Sequence, residues 1–365
     1  MSVAGPTDLP LAGLRVLELA TLYAAPQVGA MLGDLGADVV KVEPPGGDPM
    51  RRMGVVRDGV ARNWTWVARH KRSIVLDLEA AEDRATFDGL VGAADVLVEN
   101  LTPTVRDRWG CDYERLAARN PGLVVVSVSC YGRTGPYAGR PGAGTLAEAF
   151  AGLAHLTGEA DGPPTLASVP LGDTLTAFAG VIGALAGCWA RERGSAGRLV
   201  DVAMYEPVLA VLGGTLAAFD PGDPPHRSGS RVRGGVPRNV YRTRDGAYVA
   251  VSGTTDPQVS RLLPLLGRDG PDDRARFGRS DARLRHADEL DGLVADFVAA
   301  RDRDAVVAAF LAARIPVAPV NDLASVLADE HIRARGSLAP MLASAAPALG
   351  ADRDAVVRDW LGSTG

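Results

Sequence analysis

Residues 14–43, LRVLELATLYAAPQVGAMLGDLGADVVKVE, decide the fold. LRVLEL (14–19) is a short apolar run of strand length. A helix is expected to begin near Pro26, because the fixed φ of proline suits a first helical turn. ADVVKVE (37–43) then reads as a second strand. SIVLDL (73–78), DVLVEN (95–100) and LVVVSVS (123–129) continue the series, with amphipathic segments between them. Valine- and isoleucine-rich strands alternating with helices indicate a parallel sheet covered on both faces. The expected fold class is therefore α/β, with a Rossmann-like, doubly wound large domain.

Beyond this unit the pattern changes. YGRTGPYAGRPGAG (131–144) is a glycine- and proline-rich loop, followed by an apolar helix candidate, TLAEAFAGLAHL. A long helix is expected over 173–194, opened by Asp173 and closed by basic residues and Gly194. RLVDVAMYEPVLAVLGGTLAAF suggests a short strand and a further helix. PGDPPHRSGSRVRGG (221–235) is polar and loop-like. VYRTRDGAYVAVSG reads as a β-hairpin around Asp245-Gly246. Helices near 258–266 and 286–299 would complete a smaller α+β domain, and AVVAAFLAARIPVAPV (305–320) is a helix leading into a strand. The expected division is a large domain over 1–220, a small domain with its linker over 221–320, and a return to the large domain over 321–365, ending in the short helix of DRDAVVRDWLG.

Composition limits the function. A chain of 365 residues with 47% hydrophobic content can bury a large core, and more than one domain is expected. A net charge of −5 argues against a nucleic-acid partner. Cys111, Cys130 and Cys188 are scattered, with neither a C-x-x-C pair nor a cysteine/histidine cluster, so neither zinc nor a disulfide framework is expected. The N-terminus lacks a signal-peptide pattern, and no stretch reads as a membrane span. A cytoplasmic location is the resulting expectation. Lys41 and Lys71 are the only lysines.

Several residues bear on chemistry. By position alone Asp173 reads as an N-cap, accepting a hydrogen bond from an unpaired backbone N–H. The same position favours an ionised carboxylate, the form that nucleophilic catalysis by aspartate requires. Residues 131–136, YGRTGP, could cradle an anion with backbone N–H groups or could simply turn. They do not match the G-x-x-x-x-G-K-[ST] loop, and no G-x-G-x-x-G follows the first strand, so NAD is not expected. His70, His155, His226, His286 and His331 lie far apart in sequence, and His155 in its apolar segment reads as a core histidine. Arg51-Arg52 and Lys71-Arg72 read as solvated charges, or as phosphate contacts if their loops border a cleft. No G-x-S-x-G is present.

Taken in order, LAGLRVLEL with the following AAP, GDLGADVVKVEPPGGDPMR, HKRSIVLDL, ADVLVEN, LAARNPGLVVVSVSCYGRTGPYAGRPG, the Gly172-Asp173 pair and GRLVDVAMYEPVL resemble the class III CoA-transferase family. This is the formyl-CoA and carnitine CoA-transferase type, which also contains the α-methylacyl-CoA racemases. The resemblance implies two interlocked chains in a homodimer, with Asp173 as the catalytic aspartate. It implies a route through an acyl-aspartyl anhydride and an aspartyl-CoA thioester, with coenzyme A entering as a substrate. CoA would be met by Tyr23 and Ala24, by Leu76, Asp77 and Leu78 around the adenine, and by Asn100 and Arg108. Gly234 and Gly235 would form a glycine loop shielding the intermediate. No metal is implied.

The chain departs from the family pattern in two places. Where many members carry Tyr-Asp, and the racemases His-Asp, this chain has Ala143-Gly144. Racemisation needs a base on each face of the α-carbon. The histidine is missing, and Asp256 in GTTDPQ does not replace it alone. The passage before PALGADRDAVVRDWLG is also short. The leading expectation is a CoA-transferase. The alternatives are an acyl-CoA racemase or isomerase using Asp173 as a base, and a non-catalytic CoA-binding relative.

Overall fold

The computed structural model describes residues 9–338 and 345–362. The N-terminal residues 1–8 and most of the shortened passage before PALG lie outside the described residues. The chain divides into two compact units. The first holds residues up to 154, 166–224 and those from 336 on; the second holds 155–165 and 225–335.

The first unit is built on a six-stranded parallel sheet. Its strands are β1 (Arg15–Leu19), β2 (Asp38–Glu43), β3 (Lys71–Val75), β4 (Val96–Glu99), β5 (Val124–Ser129) and β6 (Arg198–Ala203). They lie in the order β3-β2-β1-β4-β5-β6, every neighbouring pair parallel. This is the doubly wound order, and the connections change direction between β1 and β4. The period-2 alternation of strand side chains explains why both faces are apolar. Val16, Val39, Val96 and Val124 face one core, with Val28 and Leu32 of the Ala24–Asp34 helix and Ala177 and Ala184 of the Leu171–Glu192 helix. Leu17, Val40, Leu97 and Val125 face the other, with Phe87 and Leu90 of the Ala81–Ala93 helix and Val356 and Trp360 of the Arg353–Leu361 helix.

Three departures from the elements read in the sequence stand out. The third strand begins at Lys71 rather than Ser73, because its lysine is buried on acidic partners instead of lying in solvent. The TLAEAFAGLAHL helix is two short helices, Gly144–Phe150 and Leu153–Leu156, broken where Gly152 takes φ +93°. The long helix spans Leu171–Glu192 and starts two residues before Asp173. Among the described residues, this is the one helix long and apolar enough to cross a membrane. Here its glycine face lies on the core: a β-carbon on Gly180 would stand 2.7 Å from Val28, and one on Gly187 2.6 Å from Val124. Phe178, Ile182 and Trp189 on the helix are exposed.

The second unit carries the antiparallel sheet expected from the hairpin. The strands are β7 (Arg238–Arg242), β8 (Tyr248–Ser252) and β9 (Val317–Pro319), with β8 central. Gly246 takes φ +81° in the turn. Tyr241, Val249 and Val251 pack on Leu262 of the Asp256–Leu265 helix, Val294 of the Ala287–Ala299 helix and Phe310 of the Arg303–Ala312 helix.

Candidate active site

In an open parallel sheet, ligands bind beyond the carboxyl ends of the strands, at the point where the winding reverses. Here that point follows β1 and β4. Asn100, just after β4, holds the chain just after β1: its Nδ2 donates to the Thr21 carbonyl at 2.8 Å, and its Oδ1 accepts from the Thr21 N–H at 3.0 Å. Tyr23 and Ala24 come next, and Ala24 opens its helix buried.

Asp173 lies in the first turn of the Leu171–Glu192 helix, but it is not the cap. Pro170 holds the cap position, without a side-chain hydrogen bond. The turn is capped instead from another helix: the buried Glu148 accepts from the Gly172 N–H at 2.9 Å and the Ala167 N–H at 3.4 Å. Because Glu148 satisfies that donor, the Asp173 carboxylate is left for other contacts. Burial pushes Asp173 up to about 6, its own backbone N–H pulls it back in part, and the neighbouring Glu148 adds to the rise. The helix N-terminus therefore does not lower this carboxylate as the sequence reading expected. Desolvation, with a second carboxylate nearby, outweighs the hydrogen bond from its own backbone N–H.

Gly144 provides the space beside Asp173. A β-carbon on Gly144 would stand 2.2 Å from Asp173 Oδ2, and one on Gly172 would stand 2.5 Å from the Gly144 carbonyl oxygen. The two helix starts thus meet backbone to backbone. Cys130, buried at the end of β5, is pushed up by burial and further by the Asp173 charge. The Tyr23 phenol is raised by burial and then by Asp173, while Trp66 and Gln27 hydrogen-bond to it. Tyr23, Cys130, Gly144 and Glu148 therefore gather around one carboxylate.

The other residues singled out in the sequence are distributed differently. Leu76 and Leu78 are buried in the core, and the exposed Asp77 between them receives the N–H of Glu79 at 3.1 Å. Arg108 is exposed with its Nε 3.4 Å from Glu79, so it borders the 76–79 segment. Gly234 and Gly235 belong to the second unit, Gly234 at φ +87° and Gly235 in a bridge with Val232. Asp256 pairs with the buried Arg283 at 3.0 Å. The 131–136 loop is a turn anchored by the Arg133 N–H on Asp201 at 2.9 Å.

Three further expectations fail. His155 is exposed rather than a core histidine. Arg51 is not a solvated charge: it grips Glu43 with two bonds of 2.7 Å and stacks 4.0 Å from the Trp64 ring centre. Lys71 is likewise buried. The sequence reading also missed Glu148 and Cys130. A lone acid inside the apolar run TLAEAFAGL was the available signal for Glu148.

The profile of CoA-transferase family III matches residues 11–352. The chain is 36% identical over 340 residues to the succinyl-CoA–L-malate CoA-transferase alpha subunit of Chloroflexus aurantiacus, covering 92% of this chain and 79% of that protein. It is 34% identical over 336 residues to the succinate–glutarate CoA-transferase of Agrobacterium fabrum, covering 90% of this chain and 84% of that one. Among solved structures, a CAIB/BAIF family protein from Brucella suis superposes with a TM-score of 0.83 at 32% identity, over 96% of this chain and 99% of that one. With a profile match and relatives of this identity running through nearly its whole length, the chain belongs to CoA-transferase family III and is an enzyme of the CoA-transferase class.

Proposed function

We propose that this enzyme moves CoA from an acyl-CoA thioester to a carboxylic acid, with Asp173 as the covalent carrier. The observation that carries the reading is the Asp173 carboxylate itself, ionised above about pH 6 and given room by Gly144. An Asp173 oxygen attacks the thioester carbonyl carbon, the C–S bond breaks, and CoA thiolate leaves an acyl-aspartyl anhydride. The thiolate attacks the aspartyl carbonyl and expels the donor acid, giving an aspartyl-CoA thioester. The acceptor carboxylate attacks the aspartyl carbonyl of that thioester, the C–S bond breaks, and CoA thiolate leaves a second anhydride. Thiolate then takes the acceptor acyl group and returns Asp173 as a carboxylate. No net proton is exchanged. Holding the reactants in place supplies much of the acceleration, since a carboxylate is a weak nucleophile.

Tyr23, Ala24 and Asn100 at the winding reversal are the proposed contacts near the thioester end of CoA. Arg108, together with Leu76, Asp77 and Leu78, is proposed for its nucleotide end, where a planar guanidinium suits phosphate oxygens. Gly234 and Gly235 are proposed to cover the intermediate. The named relatives act with succinyl-CoA, malate, succinate or glutarate, so short dicarboxylic acids are the proposed donor and acceptor class. The exposed Phe178, Ile182 and Trp189 support a homodimer in which a second copy covers them. The free thiols of Cys111, Cys130 and Cys188 fit a reducing cytoplasm.

The test is transfer from succinyl-CoA to labelled malate or glutarate, followed as new acyl-CoA by chromatography. Turnover by the wild type that is lost in Asp173→Ala supports the reading. Deuterium washout at the α-carbon of a 2-methylacyl-CoA without CoA transfer contradicts it.

A further inference from the structure

The only two lysines of the chain are both buried, and both bind the same carboxylate. Lys41 Nζ lies 2.8 Å from Glu18 Oε1, and Lys71 Nζ lies 2.6 Å from Glu18 Oε2. Asp48 completes the group, with its Oδ2 2.8 Å from Lys41 Nζ. Two cations and two anions thus share one buried site across β1, β2 and β3. Glu18 is so closely surrounded that a β-carbon on Gly29 would stand 2.1 Å from its Oε2.

A buried ion group of this kind is no more stabilising than well-packed apolar side chains, so its hold on particular backbone atoms is the informative property. Asp48 Oδ1 accepts from the Met50 N–H at 2.8 Å, and three further bonds of the group reach the loop after β1. Lys41 donates to the Ala20 carbonyl at 2.7 Å, and Lys71 to the Pro26 carbonyl at 2.7 Å. Asp48 Oδ1 accepts from the Leu22 N–H at 3.3 Å, where Leu22 sits at φ +69°, a backbone conformation that leucine rarely adopts. With Asn100 on Thr21, residues 20, 21, 22 and 26 are all fixed. Tyr23 is carried between them.

We propose that Glu18, Lys41, Asp48 and Lys71 act as one clamp that positions the 20–26 loop, and through it Tyr23, beside Asp173, which makes Lys71 a positioning residue for CoA transfer. The proposal rests on the transferase reading for its kinetic consequence only. Lys71 is faced by Glu18 from β1, by Lys41 from β2, by Asp48 after β2 and by the Pro26 carbonyl of the first helix. Burial lowers Lys71 to about 8; Glu18 opposes the fall and Lys41 adds to it. Lys41 is raised despite its burial, because Glu18 and Asp48 both oppose the loss of its proton. Lys71 is therefore the member that opens first. The clamp is intact while Lys71 is charged and loosens as pH rises through about 8.

The test uses the full chain with its lysines labelled with carbon-13 at Cε, which gives two side-chain signals. Lys71 is expected to titrate near pH 8, and the backbone amide signals of Tyr23 and Ala24 to shift with the same midpoint. The kcat for transfer is expected to fall along the same curve, and Lys71→Met to lower kcat at neutral pH by roughly 10- to 100-fold and abolish the alkaline step. Titration of Lys71 with no response at Tyr23 and Ala24 overturns the proposal, as does a folded Lys71→Met chain whose Tyr23 and Ala24 amide signals and kcat match the wild type. The amide response needs no turnover. A chain that shows it without transferring CoA supports the clamp and refutes the transferase reading.

Discussion

Gly144 leaves the space that Asp173 fills: a β-carbon at position 144 would stand 2.2 Å from Asp173 Oδ2 and 2.7 Å from its Cγ. The smallest possible side chain there must displace the carboxylate or the helix that bears it. Gly144→Ala is expected to lower kcat by about 100-fold, the usual scale for a misplaced reacting group. CoA binding, measured by calorimetry, is expected to persist, because Arg108 and residues 76–78, proposed for the nucleotide end, are not among the atoms that a β-carbon at position 144 would meet. Full turnover in this variant would show that the carboxylate is not used in the position described.

The pH profile follows from the same carboxylate. Asp173 acts in its ionised form, and its folded-state value is raised to about 6, so activity is present above that pH and lost below it. The rate with saturating acyl-CoA is expected to fall about tenfold per pH unit on the acid side of that midpoint. A limb near the ordinary carboxylate value of about 4 would mean that burial does not act on the nucleophile as described.

Glu148 tunes that limb. Its carboxylate caps the Gly172 N–H and raises Asp173 by charge. Glu148→Gln keeps an oxygen acceptor and removes the charge, so the acid limb is expected to move down by up to about one unit. Glu148→Ala removes the acceptor as well and is expected to cost about 1–3 kcal/mol of stability by leaving a buried N–H unpaired. Thermal unfolding of the two variants separates these effects.

Exposed Ile182 sits four residues after exposed Phe178 on the long helix, and Trp189 follows on the same element. If a second copy covers this face, Ile182→Glu is expected to convert a dimer to a monomer in light scattering after size exclusion. A wild-type monomer at micromolar concentration would refute the dimer proposal.

The sheet was legible because its strands write their own period: Val16 and Leu17, or Val39 and Val40, point to opposite cores and read as a continuous apolar run. The start of β3 was not legible. Lys71 resembles a solvated charge until Glu18, from a strand distant in sequence, is seen to hold it. The start of the long helix was hidden for a similar reason. Its cap comes from Glu148 on another helix, and no local residue at Pro170 announces it. Asp173 drew attention as a cap, which it is not. Its catalytic reading came only from the resemblance of the surrounding segments. The raised carboxylate, the space made by Gly144 and the nearness of Tyr23 and Cys130 depend on contacts between distant segments that no local pattern records.

The central claim is that Asp173 becomes covalently attached to substrate. Intact-protein and peptide mass spectrometry after incubation with succinyl-CoA and hydroxylamine tests it directly. Hydroxylamine converts an activated aspartyl carbonyl to a hydroxamate. The expected result is one hydroxamate on the peptide containing Asp173, dependent on acyl-CoA and absent from Asp173→Asn. Steady CoA transfer with no label at Asp173 would contradict the account.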